Sequence, residues 1–517
     1  MTSVSSEPSG IMPGSPVTGI AEGKSPRILS LDVLRGVAVL GILIVSIWEF
    51  GGFTNNKQLF YKTGTHGGNY NLMSFVAMVF EGKMLALFSI AFGAGTILFL
   101  SRKDHPSVLS VADLYIRRML WLLIFGIFSA IVLLWPGDFL FHFAVLGILL
   151  FPFWRMSQKG LLIAAIITTL IYCGKSYWNY ADDKKTYRKY VAITEVEKKF
   201  KKDSIERFKK DSIWVLANKD SVARKLHKDS IAGKLSKDTA VKKLMNDSLA
   251  KEAKNDTLTK QQAKDKGAWE GLVKGLKYDT AADKRENKAM RTTSYTKIWD
   301  HLLGRSQNKE SYWLYRTGIW DIGSMMFLGM ALLGFGFFGD RFPMKKYLLL
   351  AIPFIIAGLG LAWFRIHYQD IKLADYAKYI ENNFIPFNQF FPVERFLLAT
   401  GYAALIIALL RLNIFKWLWR TLATVGQMAF TNYFLQVIIC TVFFYGYGMG
   451  YFGRLSQVQL YFMVAEVWLI QIVFSVLWMR YFTMGPVEWF WKYLVYRKKL
   501  PFKKPVTVIP DPNPATT

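Results

Sequence analysis

The chain has 517 residues, of which 52% are hydrophobic and 16% aromatic, and it carries a formal net charge of +28. Long apolar runs alternate with very polar ones, which excludes an ordinary soluble globular protein and predicts a polytopic membrane protein. The positive charge does not indicate nucleic-acid binding. Much of it falls in one polar insert and most of the rest in short loops, with no nucleic-acid-binding motif beside it.

Ten apolar runs predict an all-α membrane helix bundle, because a membrane-spanning helix needs about 20 apolar residues. The second run is too long for one straight helix and is interrupted at Glu81–Lys83, so we expect a broken helix or a re-entrant piece joined to a span. The first run lacks a cleavage pattern and is expected to remain as an anchor. The runs lie near residues 31–49, 73–100, 118–135, 138–154, 158–175, 315–337, 345–365, 388–411, 421–446 and 458–481.

Lys and Arg residues in the short loops predict the orientation, because positively charged loops stay on the cytoplasmic side. Most of these residues fall on one side if the N-terminus lies inside, so we expect both termini in the cytoplasm. The predicted parts are a disordered N-terminus at 1–27, a first membrane part at 28–180, an extracytoplasmic insert at 181–310, a second membrane part at 311–498 and a disordered cytoplasmic tail at 499–517.

The insert is Lys-rich, with 33 Lys and Arg against 20 Asp and Glu, and it contains a repeat of the form "KDSI". At nine-residue spacing a continuous helix would place successive units on opposite faces, so each unit is expected to start its own short helix, capped by Asp, Ser or Thr. The insert is therefore either a solvated, partly helical spacer or a surface for anionic lipid, a cell-envelope polymer or a protein partner. The repeat aspartates are residues 203, 211, 220, 229, 238, 247 and 256.

The first apolar run, "LSLDVLRGVAVLGILIVSI", begins with Asp32 and Arg35 one helical turn apart. Residues three apart share a helix face and can form an ion pair. One interpretation is an anchor whose charged side chains reach water. In the other, Arg35 is held by Asp32 and meets an anionic group that enters from the cytoplasm.

Two further stretches carry polar residues into apolar runs. In "FEGKMLALFSIAFGAGTILFL", Glu81 and Lys83 flank Gly82, and the later small residues favour close helix packing or close approach of a ligand. In "LLWPGDFLFHFAVLG", Asp138 follows a Pro-Gly turn and His142 lies four residues later on the same helix face. Asp138 is either a helix cap or part of an Asp/His pair for proton transfer, and a packed histidine is equally compatible with the pattern.

The later runs also contain ionisable and amide side chains, which are costly in lipid and usually face a bundle interior. Together these side chains predict a polar interior cavity. The substrate-binding candidates are Asp321, Glu394, Arg395, Asn432 and Glu466 in these runs, together with Asp32, Arg35, Glu81 and Lys83 in the earlier ones.

Cys173 and Cys440 give neither a disulfide framework nor a metal-ligand spacing, so we expect no metal and no tightly bound cofactor.

Five ordered blocks resemble the YeiB-like bacterial membrane proteins, which belong to a family of unknown function, DUF418. The similarity covers residues 28–175 and 313–498, with the repeat insert as an addition. The blocks are "LDVLRGVAVLGIL", "EGKMLALFSIAFGAG", "RRMLWLLIFGIFSAIVLLWPGDFLFHFAVLGILL", "VGQMAFTNYFLQ" and "GPVEWFWKYLVY".

The first block is also similar to the opening helix of membrane acyltransferases, including the heparan glucosaminide acetyltransferases and the acyltransferase-3 group. That resemblance implies transfer of an acyl group from cytoplasmic acyl-CoA to a cell-envelope acceptor, with Arg35 contacting the donor phosphates. The chain departs from the acyltransferase-3 pattern, because Ser46 stands where a catalytic histidine is usual. The base is therefore sought among His66, Asp138 and His142.

Two alternatives remain open at this stage. A transporter would use Glu394, Arg395, Asp321 and Glu466 as a path for a small solute or proton, although the sequence shows no two-half repeat of the kind common in secondary transporters. A non-enzymatic envelope scaffold would instead bind a partner through the insert. Deletion of residues 195–265 distinguishes them, because only a scaffold would lose its function.

Overall fold

The computed structural model describes residues 28–52, 67–101, 110–217, 258–339, 342–382, 386–412, 414–498 and 500–504. Within these residues the fold is an all-α helix bundle, as predicted. The helices of the first half are α1 (Leu29–Phe50), α2 (Gly68–Val79), α3 (Lys83–Leu100), α4 (Val111–Ile127), α5 (Leu140–Leu150) and α6 (Gln158–Ala217). A π-helical turn, Phe128–Val132, extends α4, and a 3₁₀ turn, Phe151–Arg155, extends α5.

The second half begins with the described helices of the insert and continues with the remaining membrane helices. A π-helical segment, Lys309–Gly318, joins α9 to α10. The helices are α7 (Lys260–Leu276), α8 (Thr280–Met290), α9 (Tyr295–Asn308), α10 (Ile319–Gly334), α11 (Met344–Ala374), α12 (Tyr376–Glu381), α13 (Phe391–Arg411), α14 (Lys416–Gln427), α15 (Ala429–Phe444), α16 (Gln457–Tyr481) and α17 (Pro486–Tyr496).

In the described part of the chain, eight helical segments are long and apolar enough to cross a membrane. The pair α14 and α15, bent by 78°, makes a ninth if it is one span, and the shorter apolar stretch Leu140–Arg155 occupies the remaining predicted run. The strongest break therefore lies at Met428 in the ninth run. The second run is interrupted at Phe80–Gly82, but residues 68–100 still form one candidate span.

Small residues bring the membrane helices into backbone contact. A Cβ atom built on Gly36 of α1 would lie 2.0 Å from the carbonyl oxygen of Leu422, and one on Gly426 would lie 1.8 Å from that of Asp32. The same relation holds between α3 and α10, where a Cβ on Gly93 would lie 2.1 Å from the Met326 carbonyl oxygen. Close helix packing thus accounts for these glycines.

The insert does not begin as a series of short helices. The prediction that each repeat unit starts its own helix is wrong for the first two units, because α6 runs unbroken for 60 residues through Asp203 and Asp211. Lys and Glu favour a continuous helix, and no Pro or Gly follows Gly174 within α6. The units at 220, 229, 238, 247 and 256 lie outside the described residues.

The insert is attached to the membrane part through an aromatic cluster. Trp269 of α7 stacks on Tyr376 of α12 with ring centres 5.2 Å apart, and it also contacts Tyr187 of α6 at 4.6 Å. The Tyr376 hydroxyl donates to Asp183 at 2.5 Å, and Lys266 pairs with Glu197 at 2.7 Å. Burial of these rings fixes α6, α7 and α12 against one another.

Candidate functional site

In the described membrane helices, the larger of two groups of charged residues is centred on Glu394. Gly82 has a φ of 77° and forms the turn between α2 and α3, so that Glu81 and Lys83 face the same interior region. A side chain at Gly82 would collide with Arg395 and Phe391, since a Cβ there would lie 2.9 Å from each. The glycine is therefore required both by the backbone and by its neighbours.

Glu394 holds two cations by separate carboxylate contacts. Lys83 Nζ lies 2.5 Å from Glu394 Oε1, and Arg365 Nε donates to Glu394 Oε2 at 2.7 Å. Both cations also donate to the carbonyl oxygen of Ala77, at 3.0 Å from Lys83 and 3.3 Å from Arg365. Glu81 completes the group at 3.4 Å from Arg365. Lys83 is 0% and Glu394 1% exposed, so these charges are compensated by one another rather than by solvent.

A second ion pair, between Arg395 and Asp321, lies beside this group. The Phe391 ring separates the two, with its centre 4.8 Å from the Arg365 guanidinium carbon and 5.5 Å from that of Arg395. The six side chains carry three positive and three negative charges. We call them the Glu394 network. They are Glu81, Lys83, Asp321, Arg365, Glu394 and Arg395.

The structure thus brings together five of the predicted substrate-binding residues, and it adds Arg365. Arg365 is the last residue of the predicted run 345–365, and it is buried to 8% exposure because α11 continues to Ala374. Glu466 lies on an exposed face of α16 and does not join the predicted interior cavity. The place of Arg365 at the end of an apolar run gave no signal that its side chain would be buried.

Asp138 and His142 have different partners. Asp138 accepts a hydrogen bond from the Tyr433 hydroxyl and another, at 3.0 Å, from the backbone N–H of Phe141. Ser129 lies 3.3 Å from the same Tyr433 hydroxyl. His142 Nε2 instead lies 3.0 Å from the carbonyl oxygen of Lys309, and its Nδ1 is buried without a hydrogen-bond partner among the described residues. Asp138 and Tyr433, not Asp138 and His142, form the buried pair.

Asn432 belongs to an interior group of amides. Its Nδ2 donates to Ser475 Oγ at 2.9 Å and to the Val425 carbonyl at 3.1 Å, which bridges the bend between α14 and α15. Gln471 Nε2 donates to the Asn432 carbonyl at 2.8 Å, and Gln436 donates to the Val39 carbonyl of α1 at 3.0 Å. These bonds satisfy polar groups around a break in the helix, which is the usual requirement for irregular backbone in a membrane.

The bend between α14 and α15 is also stabilised by a residue of the last motif block, "GPVEWFWKYLVY". Glu488 of α17 accepts hydrogen bonds from the backbone N–H groups of Phe430 and Thr431 at 2.8 and 3.0 Å, so it caps the N-terminus of α15. A carboxylate is favourable there because the first N–H groups of a helix lack intrahelical partners. The sequence alone did not identify these contacts, because Glu488 lies 58 positions after Phe430 and 57 positions after Thr431.

The second charged group is the Asp32–Arg35 pair near the start of α1. Arg35 Nη1 donates to Asp32 Oδ1 at 3.2 Å, which confirms that the two residues share a helix face. Arg35 also extends to α3, with Nη2 3.5 Å from the Ala91 carbonyl, and it passes over Gly95. The Arg35 side chain is 29% exposed, against 0% for Lys83.

An apolar cavity of about 380 Å³ begins on the same helix, two residues beyond Arg35. Its volume lies within the range of small-molecule sites, roughly 300 to 1,000 Å³. Met84, next to Lys83, forms part of the opposite wall. The residues that line it are Val37, Leu40, Gly41, Ile44, Val79, Phe80, Met84, Leu87, Tyr402, Leu405, Ile406, Leu422 and Trp468.

His66 lies outside the described residues. Among the residues that the structure does describe, no group of three or more His, Cys, Asp or Glu side chains is placed to hold a metal ion.

The proteins to which this chain is similar are those that its five motif blocks indicate. The family DUF418, a protein family of unknown function, matches residues 335–498. The uncharacterized protein YxaH of Bacillus subtilis is 25% identical over 494 residues, which cover 93% of this chain and 97% of YxaH. The uncharacterized protein YeiB of Escherichia coli is 25% identical over 484 residues, covering 91% and 97% of the two chains. No solved structure matches this chain.

The ordered blocks, the family match and the nearly full-length similarity to these two proteins agree with one another. The chain is similar over nearly its whole length to YxaH and YeiB, and its residues 335–498 match the DUF418 family.

Proposed function

We propose that the protein transfers an acyl group from acyl-CoA to a cell-envelope acceptor. The observation that carries the proposal is the position of the apolar cavity directly beyond Arg35 on one helix. A charged site next to an apolar cavity matches the two parts of an acyl-CoA molecule, whose phosphates are anionic and whose acyl chain is apolar.

Arg35 would contact the donor phosphates. A guanidinium group offers five N–H donors in a plane and binds phosphate oxygens in pairs. Asp32 holds the guanidinium from one side at 3.2 Å, and Gly95 leaves room beside it. The partial exposure of Arg35 makes it accessible from the end of the bundle where α1 begins. The acyl chain would then lie between Val37, Ile44 and Leu405.

In the proposed reaction an acceptor hydroxyl or amine attacks the thioester carbonyl, coenzyme A leaves as its thiol, and a base takes the acceptor proton. Asp138 and His142 are the described candidates for the base, and His66 remains a candidate from the sequence. Tyr433, hydrogen-bonded to Asp138, is the natural relay for a proton in this group. No metal or tightly bound cofactor is required by this scheme.

The proposal includes an orientation. Lys and Arg residues are concentrated in the loops on the side of the termini, which supports cytoplasmic termini and an extracytoplasmic insert. The similarity to proteins of Bacillus subtilis and Escherichia coli supports the inner membrane of a bacterium. Acyl-CoA would enter from the cytoplasm at Arg35, and the acceptor would be an envelope component. The insert is available to bind an envelope polymer or protein on the other side.

The test is acyl-CoA binding by isothermal titration calorimetry, with detergent-purified full-length protein and its Arg35→Ala variant. We expect micromolar binding that the substitution weakens at least tenfold, about 1.4 kcal/mol. Arg420→Ala is the matched control, because Arg420 is exposed on α14, the helix that packs on α1. Absence of binding by the folded wild-type protein, or an equal loss in both variants, would contradict the proposal.

Transport of a small solute is the second candidate, favoured by the burial of five ionisable side chains within the bundle. Reconstituted protein would then move protons when a solute gradient is applied, and Glu394→Gln protein that remains folded would not. Under acyl transfer, folded Glu394→Gln protein would still bind acyl-CoA.

A further inference from the structure

A second cavity, of about 750 Å³, opens between α6 and the π-helical segment Lys309–Gly318. A π-helix has a wider turn than an α-helix and occurs frequently at functional sites. The cavity is separate from the apolar cavity near Arg35 and shares no lining residue with it. Its polar and aromatic lining residues are Tyr172, Lys175, Ser176, Trp178, Asn179 and Arg316.

The described residues that line this cavity include two cations and no carboxylate. Arg316 Nη2 donates to Asn179 Oδ1 at 2.8 Å, which directs the guanidinium across the cavity from the π-helical segment to α6. Lys175 Nζ lies 5.2 Å from the ring centre of Trp320. Across the part of the chain that the structure describes, neither cation forms an ion pair with Asp or Glu. The site therefore carries an uncompensated positive charge.

Two polar atoms beside this cavity are buried without a hydrogen-bond partner among the described residues. One is Nε1 of Trp320, the ring under the Lys175 ammonium group. The other is Oε1 of Gln389, whose amide nitrogen donates to the carbonyl oxygen of Ser176 at 3.5 Å. Buried polar atoms usually have partners, so a polar ligand or water is expected here.

The sequence of α6 places the cavity at the edge of the membrane. The helix is apolar from Leu161 to Cys173 and becomes polar from Lys175 onward. At this change Trp178 and Tyr315 expose 71% and 73% of their surface. Exposed Trp and Tyr are typical of the level of lipid headgroups. A cation-lined cavity at that level is accessible to headgroups from the bilayer.

We propose that this cavity binds the phosphate-bearing headgroup of an anionic phospholipid. Lys175 and Arg316 would contact the phosphate oxygens, since charge-assisted bonds to phosphate are favourable for both side chains. Trp320 Nε1 and Gln389 Oε1 would be available to the remaining polar groups of the headgroup. The site does not depend on acyl transfer and would operate equally in a transporter.

The test uses detergent-purified full-length protein and native mass spectrometry with equimolar phosphatidylglycerol and phosphatidylcholine. We expect preferential retention of phosphatidylglycerol by the wild-type protein. The double variant Lys175→Gln, Arg316→Gln should weaken this binding at least tenfold. The charge-preserving variant Lys175→Arg, Arg316→Lys should retain it.

The matched control is Lys345→Gln, Arg420→Gln, which also removes one Lys and one Arg charge from exposed positions, here on α11 and α14. We expect it to bind phosphatidylglycerol as the wild type does.

Equal retention of the two lipids by the wild type would overturn the proposal, and so would phosphatidylglycerol binding by the double variant that equals that of the wild type. So would displacement by millimolar inorganic phosphate, which would identify a free anion as the ligand. If the double variant does not fold, Arg316→Gln alone, at an exposed position, provides the comparison.

Discussion

The Asp32–Arg35 pair and the Glu394 network are both ionic groups within apolar helices, yet they differ in burial and in partners. Arg35 exposes 29% of its side chain, whereas Lys83 and Glu394 are almost fully buried. A partly exposed pair contributes little to stability and is accessible to a ligand. A buried group whose charges balance is costly to break. The first is therefore suited to binding, and the second to holding α2, α3, α11 and α13 in register.

The largest effect is expected from Glu394→Gln. It leaves Lys83 and Arg365 buried with one carboxylate fewer between them, and breaking a buried pair costs about 3 to 5 kcal/mol. We expect a strong loss of folded protein, measured as monodisperse yield and as melting temperature in detergent. Replacing Lys83 by Met in the same chain should restore part of the loss, because it removes an unpaired charge. A wild-type melting temperature for Glu394→Gln would show that the network is not structural.

Arg395→Met should also destabilise the bundle, because it leaves Asp321 buried without its cation. The double variant Arg395→Met, Asp321→Asn should be more stable than Arg395→Met alone. A double-mutant cycle on melting free energies measures this coupling, expected within about 0.5 to 3 kcal/mol. Additive effects of the two substitutions would contradict the ion pair.

Gly426→Ala tests the packing that brings Asp32 to its position. The added methyl group would meet the Asp32 carbonyl oxygen, so α1 and α14 must separate, at a cost of about 1 to 3 kcal/mol. Thermal melting provides the measurement. Gly360→Ala is the control, since no atom lies within 4 Å of a Cβ at that position. Equal melting temperatures for the two variants would show that α1 and α14 are not in backbone contact.

Leu405→Trp should leave stability nearly unchanged and narrow the apolar cavity. We expect weaker binding of long-chain acyl-CoA and unchanged binding of acetyl-CoA, measured by calorimetry. Leu409→Trp, one turn further along α13 and outside the cavity lining, is the control. Equal binding of long-chain acyl-CoA by both variants would place the acyl chain elsewhere.

The sequence was sufficient to predict the helix bundle and the shared face of Asp32 and Arg35, because both depend on local periodicity. It was not sufficient to identify Arg365, which lies at the end of an apolar run and resembles a loop residue until the length of α11 is known. Nor did it pair Asp138 with Tyr433, since that contact joins residues 295 positions apart. Long-range contacts between polar residues depend on helix rotation, which a single sequence does not determine.

The comparison between the two charged groups is tested most directly by measuring melting temperature and acyl-CoA affinity together for Arg35→Ala and Glu394→Gln. We predict that Arg35→Ala melts like the wild type, within about 1 kcal/mol, and loses at least tenfold in affinity, whereas Glu394→Gln melts at a much lower temperature. Wild-type acyl-CoA affinity in a folded Arg35→Ala protein would contradict the assignment of Arg35 to the donor.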